Sequence, residues 1–192
     1  MKWLILLSLS CISLSFLFSY FNKNNKIDLE NFSKSIYDYI LVDIDGNNVP
    51  MRNYKGKKVV IVNVASKCGY TPQYEGLEKL HREYGDKVVV LGFPSNDFLW
   101  QEPGKNDEIK QFCSTKYGVT LQLFDKIIVK KNKNQNSLYT WLSHKDLNGV
   151  NNEAPSWNFC KYLIDEKGNF VNFYTSSIKP LSKEILDFIV DE

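Results

Sequence analysis

The most regular hydrophobic pattern in the chain is Lys57-Lys58-Val59-Val60-Ile61-Val62-Asn63-Val64, β-branched and nearly continuous, as in a strand covered on both faces. Helical signals follow at once. Gly69 permits a sharp turn, Thr71 can cap, Pro72 suits a first helical position, and Tyr74, Leu77, Leu80, His81 and Tyr84 recur at helical spacing. A second apolar run, Val88-Val89-Val90-Leu91-Gly92-Phe93, predicts another buried strand, and residues 107–117 predict a helix stopped by Gly118. Strand, helix, strand, helix argues a βαβ unit with a right-handed crossover and a parallel centre. Ahead of it, Tyr39-Ile40-Leu41-Val42, Asp45-Gly46 and Val49 predict a short hairpin. Behind it, residues 124–129, 161–164 and 170–174 predict further strands, and residues 182–190 an amphipathic closing helix.

This order of elements predicts an α/β, thioredoxin-like fold: a central mixed sheet flanked by helices. It occupies residues 35–192. Residues 1–21 are almost unbroken apolar and serine residues after Lys2. They read as a signal peptide or a signal anchor, longer than an ordinary ~7–15-residue secretory core and barely reaching the ~20 residues needed to span a bilayer. Residues 22–34, rich in Lys and Asn, read as a polar linker or a transit segment. The leader predicts entry into the secretory route and a possible membrane contact, with onward passage to a plastid-like organelle if residues 22–34 act as a transit segment. An inactive leader would leave the protein in the cytosol.

The chain carries a net charge of +2, with 43% hydrophobic and 24% charged residues. That balance excludes disorder and offers no broad positive field for nucleic acid. Its four cysteines, Cys11, Cys68, Cys113 and Cys160, are far apart and form no C-x-x-C pair, so neither a zinc site nor a dithiol motif of the usual spacing is present. With Cys11 in the leader, the folded part keeps an odd number, which argues against a closed disulfide framework and for a free thiol.

Cys68 is the candidate. It sits where the strand gives way to a helix, and there unpaired N–H groups favour a thiolate, the nucleophilic form. A small cysteine that merely packs is the alternative. Three further stretches stand out: Phe93-Pro94-Ser95-Asn96 with Gln101-Glu102-Pro103-Gly104 beyond a strand end, Trp157-Asn158-Phe159 in a loop, and Cys113 on the predicted second helix.

Together with Asn63-Val64-Ala65-Ser66-Lys67-Cys68-Gly69-Tyr70-Thr71, these motifs closely resemble those of the glutathione peroxidase family, from about Ser35 to the last helix. The resemblance implies a thiol peroxidase acting on hydrogen peroxide and organic or lipid hydroperoxides, with Cys68, Gln101, Trp157 and Asn158 as its catalytic tetrad and no metal or cofactor. The residue types suit that chemistry. Amide and indole N–H donors favour a thiolate and can receive charge developing on the departing oxygen, and cleavage of the O–O bond leaves a sulfenic acid on Cys68.

Cys113 lies where the thioredoxin-dependent members carry a resolving cysteine, so the resemblance implies a Cys68–Cys113 disulfide reduced by thioredoxin, after local unwinding of a helix. Residues 142–155 are too short for the oligomerisation insert of the tetrameric members, which implies a monomer. Arg52 and Arg82 lie outside the motifs and Phe173 stands where an arginine is common, which implies that glutathione serves less well. Leu99-Trp100 are bulkier than is usual there. Asp97, in place of a common glutamine, is expected to face water, Cys160 to pack, and Lys161 to lie near the mouth, as a contact for a partner or lipid head group or as a solvated lysine. A peroxide sensor and a non-catalytic thioredoxin-like binding module are the rival functions.

Overall fold

The structure, a computed structural model, describes residues 29–191; the leader and residues 22–28 lie outside the described residues. Strands β3 (Lys58–Val64) and β4 (Val88–Pro94) pair in parallel along their whole length, from Lys58 opposite Val88 to Val64 opposite Pro94. Helix α1 (Gln73–Tyr84) makes the crossover between them. The sheet is mixed. Its order is β5-β4-β3-β6-β7, with β5 (Gln122–Leu123) parallel to β4, and β6 (Lys161–Ile164) and β7 (Phe170–Tyr174) added antiparallel. A separate hairpin of β1 (Ile40–Val42) and β2 (Asn48–Pro50) precedes it, matching the expectation from residues 39–49.

Because successive side chains of a strand point to opposite faces, the buried run in β3 feeds two cores. Val59 and Ile61 join Leu91, Phe93 and Tyr162 under helices α3 (Ser137–Leu142) and α4 (Lys145–Asn148). Val60, Val62 and Val64 join Leu77, Leu80, Ile109 and Ile185 under α1, α2 (Asn106–Tyr117) and α5 (Lys183–Val190). Gly118, at φ 61°, closes α2 in the left-handed conformation that glycine adopts at little cost.

One expectation needs correction. Residues 124–129 are not a strand beyond an isolated bridge between Asp43 and Phe124. Scattered partners satisfy this backbone instead: the Lys126 N–H donates to Asn106 Oδ1 and the Val129 N–H to Asp97 Oδ2, while the Asp125 and Ile127 N–H groups donate to Val42 O and Pro94 O. Helices α3 and α4 had no clear sequence signal, since α3 is short and buried on most sides, leaving no polar face to mark a period. Among the described residues, no helix is long and apolar enough to cross a membrane.

One buried carboxylate holds the chain after α2 onto α1. Glu78 accepts from the Thr120 N–H at 2.7 Å, the Leu121 N–H at 3.2 Å, the Thr120 hydroxyl and Arg82 Nε. Burial pushes its carboxyl up, but the hydrogen bonds from Thr120, Arg82 and Leu121 outweigh this and hold it below its ordinary value. Glu78→Ala leaves those donors unpaired and is expected to lower stability by about 2–4 kcal/mol, read by urea unfolding; a loss under about 1 kcal/mol would show that water takes over the bonds.

Candidate active site

Beyond Val64 the chain leaves the sheet and turns back on itself. The Thr71 hydroxyl donates to Ala65 O at 2.8 Å and accepts from the Cys68 N–H at 2.9 Å, so one side chain ties the turn to the end of β3. It does not cap α1, and Pro72 precedes the helix instead of occupying its first position. Cys68 therefore lies five positions ahead of Gln73, the first residue of α1. The donor that reaches its sulfur is a turn amide, the Tyr70 N–H at 3.4 Å. Cys68 is half-buried and a free thiol.

Three connections bring the other motifs to this turn. The Lys67 N–H donates to Gln101 O at 2.9 Å, placing Gln101 beside Cys68. Asn158 Nδ2 donates to Gln101 Oε1 at 2.8 Å, joining the second motif to the third. Asn63, the polar residue in an otherwise apolar stretch of β3, bolts the third motif to the sheet: Nδ2 donates to Trp157 O at 2.9 Å and Oδ1 accepts from the Cys160 N–H at 3.1 Å. The sequence contained the signal for that role, since an asparagine inside a fully buried strand must find partners. These bonds also hold Phe159, buried, at a φ of 66°, a conformation that costs a bulky residue roughly 1–3 kcal/mol.

Cys68, Gln101 and Asn158 are thus linked through adjacent backbone and side chains, and Trp157 is anchored on the same loop with its ring 5.7 Å from Phe98. Gln101, Trp157 and Asn158 do not hydrogen-bond the Cys68 sulfur itself. Asn158 is fully buried, and its Oδ1 has no partner.

Cys113 is fully buried on the inner face of α2. Burial pushes its thiol up to about 11, against a lowering hydrogen bond with Tyr74. Between the Cys68 turn and α2 lies a cavity of about 370 Å³, lined by Ser66 and Lys67 on one side and Ile109 and Phe112 on the other, with Glu102 between. Glu102 is itself buried; desolvation raises its carboxyl, and Ser66 Oγ donates to it at 3.0 Å.

Lys161 is corrected. It is fully buried, with its ammonium donating to Gln73 Oε1 and Ile178 O, each at 2.5 Å, and desolvation lowers it to about 8. A lysine turned inward from β6 offers no contact to a partner. Asp97 is half-buried and does not address Cys68: its Oδ2 accepts from the Val129 and Lys130 N–H groups at 2.6 and 2.9 Å. Cys160 packs in the interior.

A thioredoxin-like sheet with a cysteine in the turn after its central strand defines a thiol-dependent oxidoreductase. The sequence profile described as glutathione peroxidase matches residues 36–143. The glutathione peroxidase-like peroxiredoxin of Schizosaccharomyces pombe is 47% identical over 146 residues, 75% of this chain and 90% of that protein. A hydroperoxy fatty acid reductase of Synechocystis is 43% identical, over 77% of this chain and 90% of its own length. Among solved structures, Trgpx in its apo form superposes with a TM-score of 0.61 at 34% identity, covering 81% of this chain and 95% of that one. The chain belongs to the glutathione peroxidase family and is a peroxidase.

Proposed function

We propose that Cys68 reduces hydrogen peroxide and organic hydroperoxides, including those of fatty acyl chains, and that Cys113 and thioredoxin reset it. The Cys68 thiolate attacks the terminal peroxide oxygen. The O–O bond breaks, the alkoxide leaves with a proton as alcohol or water, and Cys68 becomes a sulfenic acid. Gln101, Trp157 and Asn158 supply donors for the charge on the departing oxygen. The observation that carries this reading is the 2.8 Å bond between Asn158 and Gln101, with Gln101 held through Lys67 against the Cys68 turn.

In the second step the Cys113 sulfur displaces hydroxide from the sulfenic sulfur, which leaves with the thiol proton as water, and an internal disulfide forms. Thioredoxin's dithiol then reduces it by exchange. The cavity between the Cys68 turn and α2 gives Cys113 a direction in which to move. The name of the Synechocystis relative supports a lipid hydroperoxide as substrate, and that of the fission-yeast relative a peroxiredoxin-like cycle. The short stretch 142–155 supports a monomer, and the apolar leader supports entry into the secretory route.

The test is NADPH consumption by the purified protein with hydrogen peroxide, coupled either to thioredoxin and its reductase or to glutathione and its reductase. Turnover with thioredoxin is expected to exceed that with glutathione. No peroxide consumption with either reductant would refute the reading; faster turnover with glutathione would refute its thioredoxin part.

A further inference from the structure

We propose that Leu99 and Trp100 form a tip that docks the active-site face onto a negatively charged lipid surface. The proposal rests on the reading of the site as one that reduces acyl hydroperoxides, and it names where such a substrate is met. Leu99 is 67% exposed and Trp100 77% exposed, the most exposed of the large apolar side chains among the described residues. Both have left-handed backbone, at φ 50° and 52°. Two consecutive bulky residues in that conformation are unfavourable, and nothing in the interior is gained by it, since both side chains point away from the core. They immediately precede Gln101, and Tyr70, two residues beyond Cys68, is a third exposed large apolar side chain, on the other motif. An apolar rim therefore stands around the cysteine turn, where a buried apolar pair would be the ordinary outcome.

The charges around the tip decide between partners. Of its acids, Glu102 is buried against Ser66, and Asp97, half-buried, has one carboxylate oxygen taken up by the Val129 and Lys130 N–H groups. Its lysines are turned outward. Lys67 is exposed beside Cys68, and exposed Lys130 holds its ammonium 4.7 Å over the Phe98 ring, next to Leu99. An exposed tryptophan and leucine flanked by solvent-facing lysines match a bilayer interface, where an aromatic ring sits at head-group level and lysines meet anionic lipid. Two side chains on one projecting loop need no shaped counterpart in a fluid interface. A protein partner would require a broader surface of fitted contacts.

The experiment compares the full-length protein with the double variant Leu99→Gly, Trp100→Gly, in which glycine accepts the same backbone without strain. Both carry the same N-terminal segment, so differences between them report on the tip alone. Co-sedimentation with vesicles of phosphatidylcholine and phosphatidylglycerol is expected to weaken by about tenfold or more in the variant. Lys130→Gln is expected to weaken it by about fivefold on these vesicles and not on pure phosphatidylcholine. Turnover of a phospholipid hydroperoxide held in the vesicles should fall with binding in the double variant, while turnover of hydrogen peroxide stays unchanged. Equal co-sedimentation of the two proteins would overturn the proposal, as would an equal loss on both peroxides. A raised KM for thioredoxin with unchanged vesicle binding would overturn it in favour of a reductant-docking surface. A wild-type protein that consumes no peroxide, with vesicle binding still lost in the variant, would sink the peroxidase reading and leave the docking standing.

Discussion

Cys113→Ser is expected to stop thioredoxin-coupled turnover nearly completely while Cys68 still consumes one equivalent of peroxide. An internal thiol attacks at an effective concentration on the order of millimolar, against roughly 10 μM for an external reductant, so its loss should cost about 100-fold or more. On the proposed cycle the protein has to move at each turnover. In the reduced form Cys113 is fully buried with its thiol pushed up to about 11, and a neutral buried thiol is a poor nucleophile. The proposed resolving role would need α2 to open, and the backbone that Glu78 clamps lies just beyond that helix. Mass spectrometry after one addition of peroxide checks the outcome: wild type should show a Cys68–Cys113 disulfide and the variant an oxidised Cys68. Normal coupled turnover in Cys113→Ser would remove Cys113 from the cycle.

The second large effect is on stability between pH 8 and 10, below the range where the buried tyrosines ionise, where Cys113 and Lys161 act with opposite sign. Desolvation raises Cys113 from an ordinary value of 9.0 to about 11. Below 9 the thiol is neutral in both states and the contribution is intact. Between 9 and 11 the unfolded chain ionises first, so stability is lost as pH rises, by on the order of 2–3 kcal/mol in all. Desolvation lowers Lys161 from 10.5 to about 8. Between 8 and 10.5 the unfolded chain keeps a proton that the folded chain has released, so stability is gained there, by roughly 3 kcal/mol. The wild-type curve should therefore climb from pH 8 to 9, flatten between 9 and 10 where the two oppose each other, and fall above 10, where Tyr39, Tyr54, Tyr74, Tyr139 and Tyr162, raised by desolvation, add to the loss from Cys113. Lys161→Met should remove the climb and Cys113→Ser should carry the climb on from pH 9 to about 10, as read by urea unfolding across this range. Superimposable curves for wild type and both variants would show that neither group titrates as its burial implies.

Much of the fold was legible because two strands are buried on both faces. The runs at β3 and β4 are too apolar to be anything but central, and a twelve-residue helical pattern between them leaves a right-handed parallel crossover as the ordinary solution. The second helix ended at Gly118 as its sequence indicated, because a left-handed stop there suits glycine best. The strand expected at 124–129 failed for a reason local patterning cannot show: its N–H groups go to partners scattered over the fold, Val42 O, Asn106 Oδ1, Pro94 O and Asp97 Oδ2, and not to one neighbouring strand.

The sequence by itself determined the chemistry available to this protein: a cysteine after a central strand, amide and indole donors in two separated motifs, and a second cysteine on a helix. Those are properties of residue type and order alone. Only the tertiary structure decided which groups face which. It spent Asp97 on the backbone, turned Lys161 inward onto Gln73 and Ile178, and made Asn63 the bolt of the Trp157–Asn158 loop. It also left Leu99 and Trp100 in solvent. Burial and hydrogen-bond partnership depend on residues far apart in the chain, so a charged or polar side chain read in its own neighbourhood has several possible partners, and the packed fold selects among them.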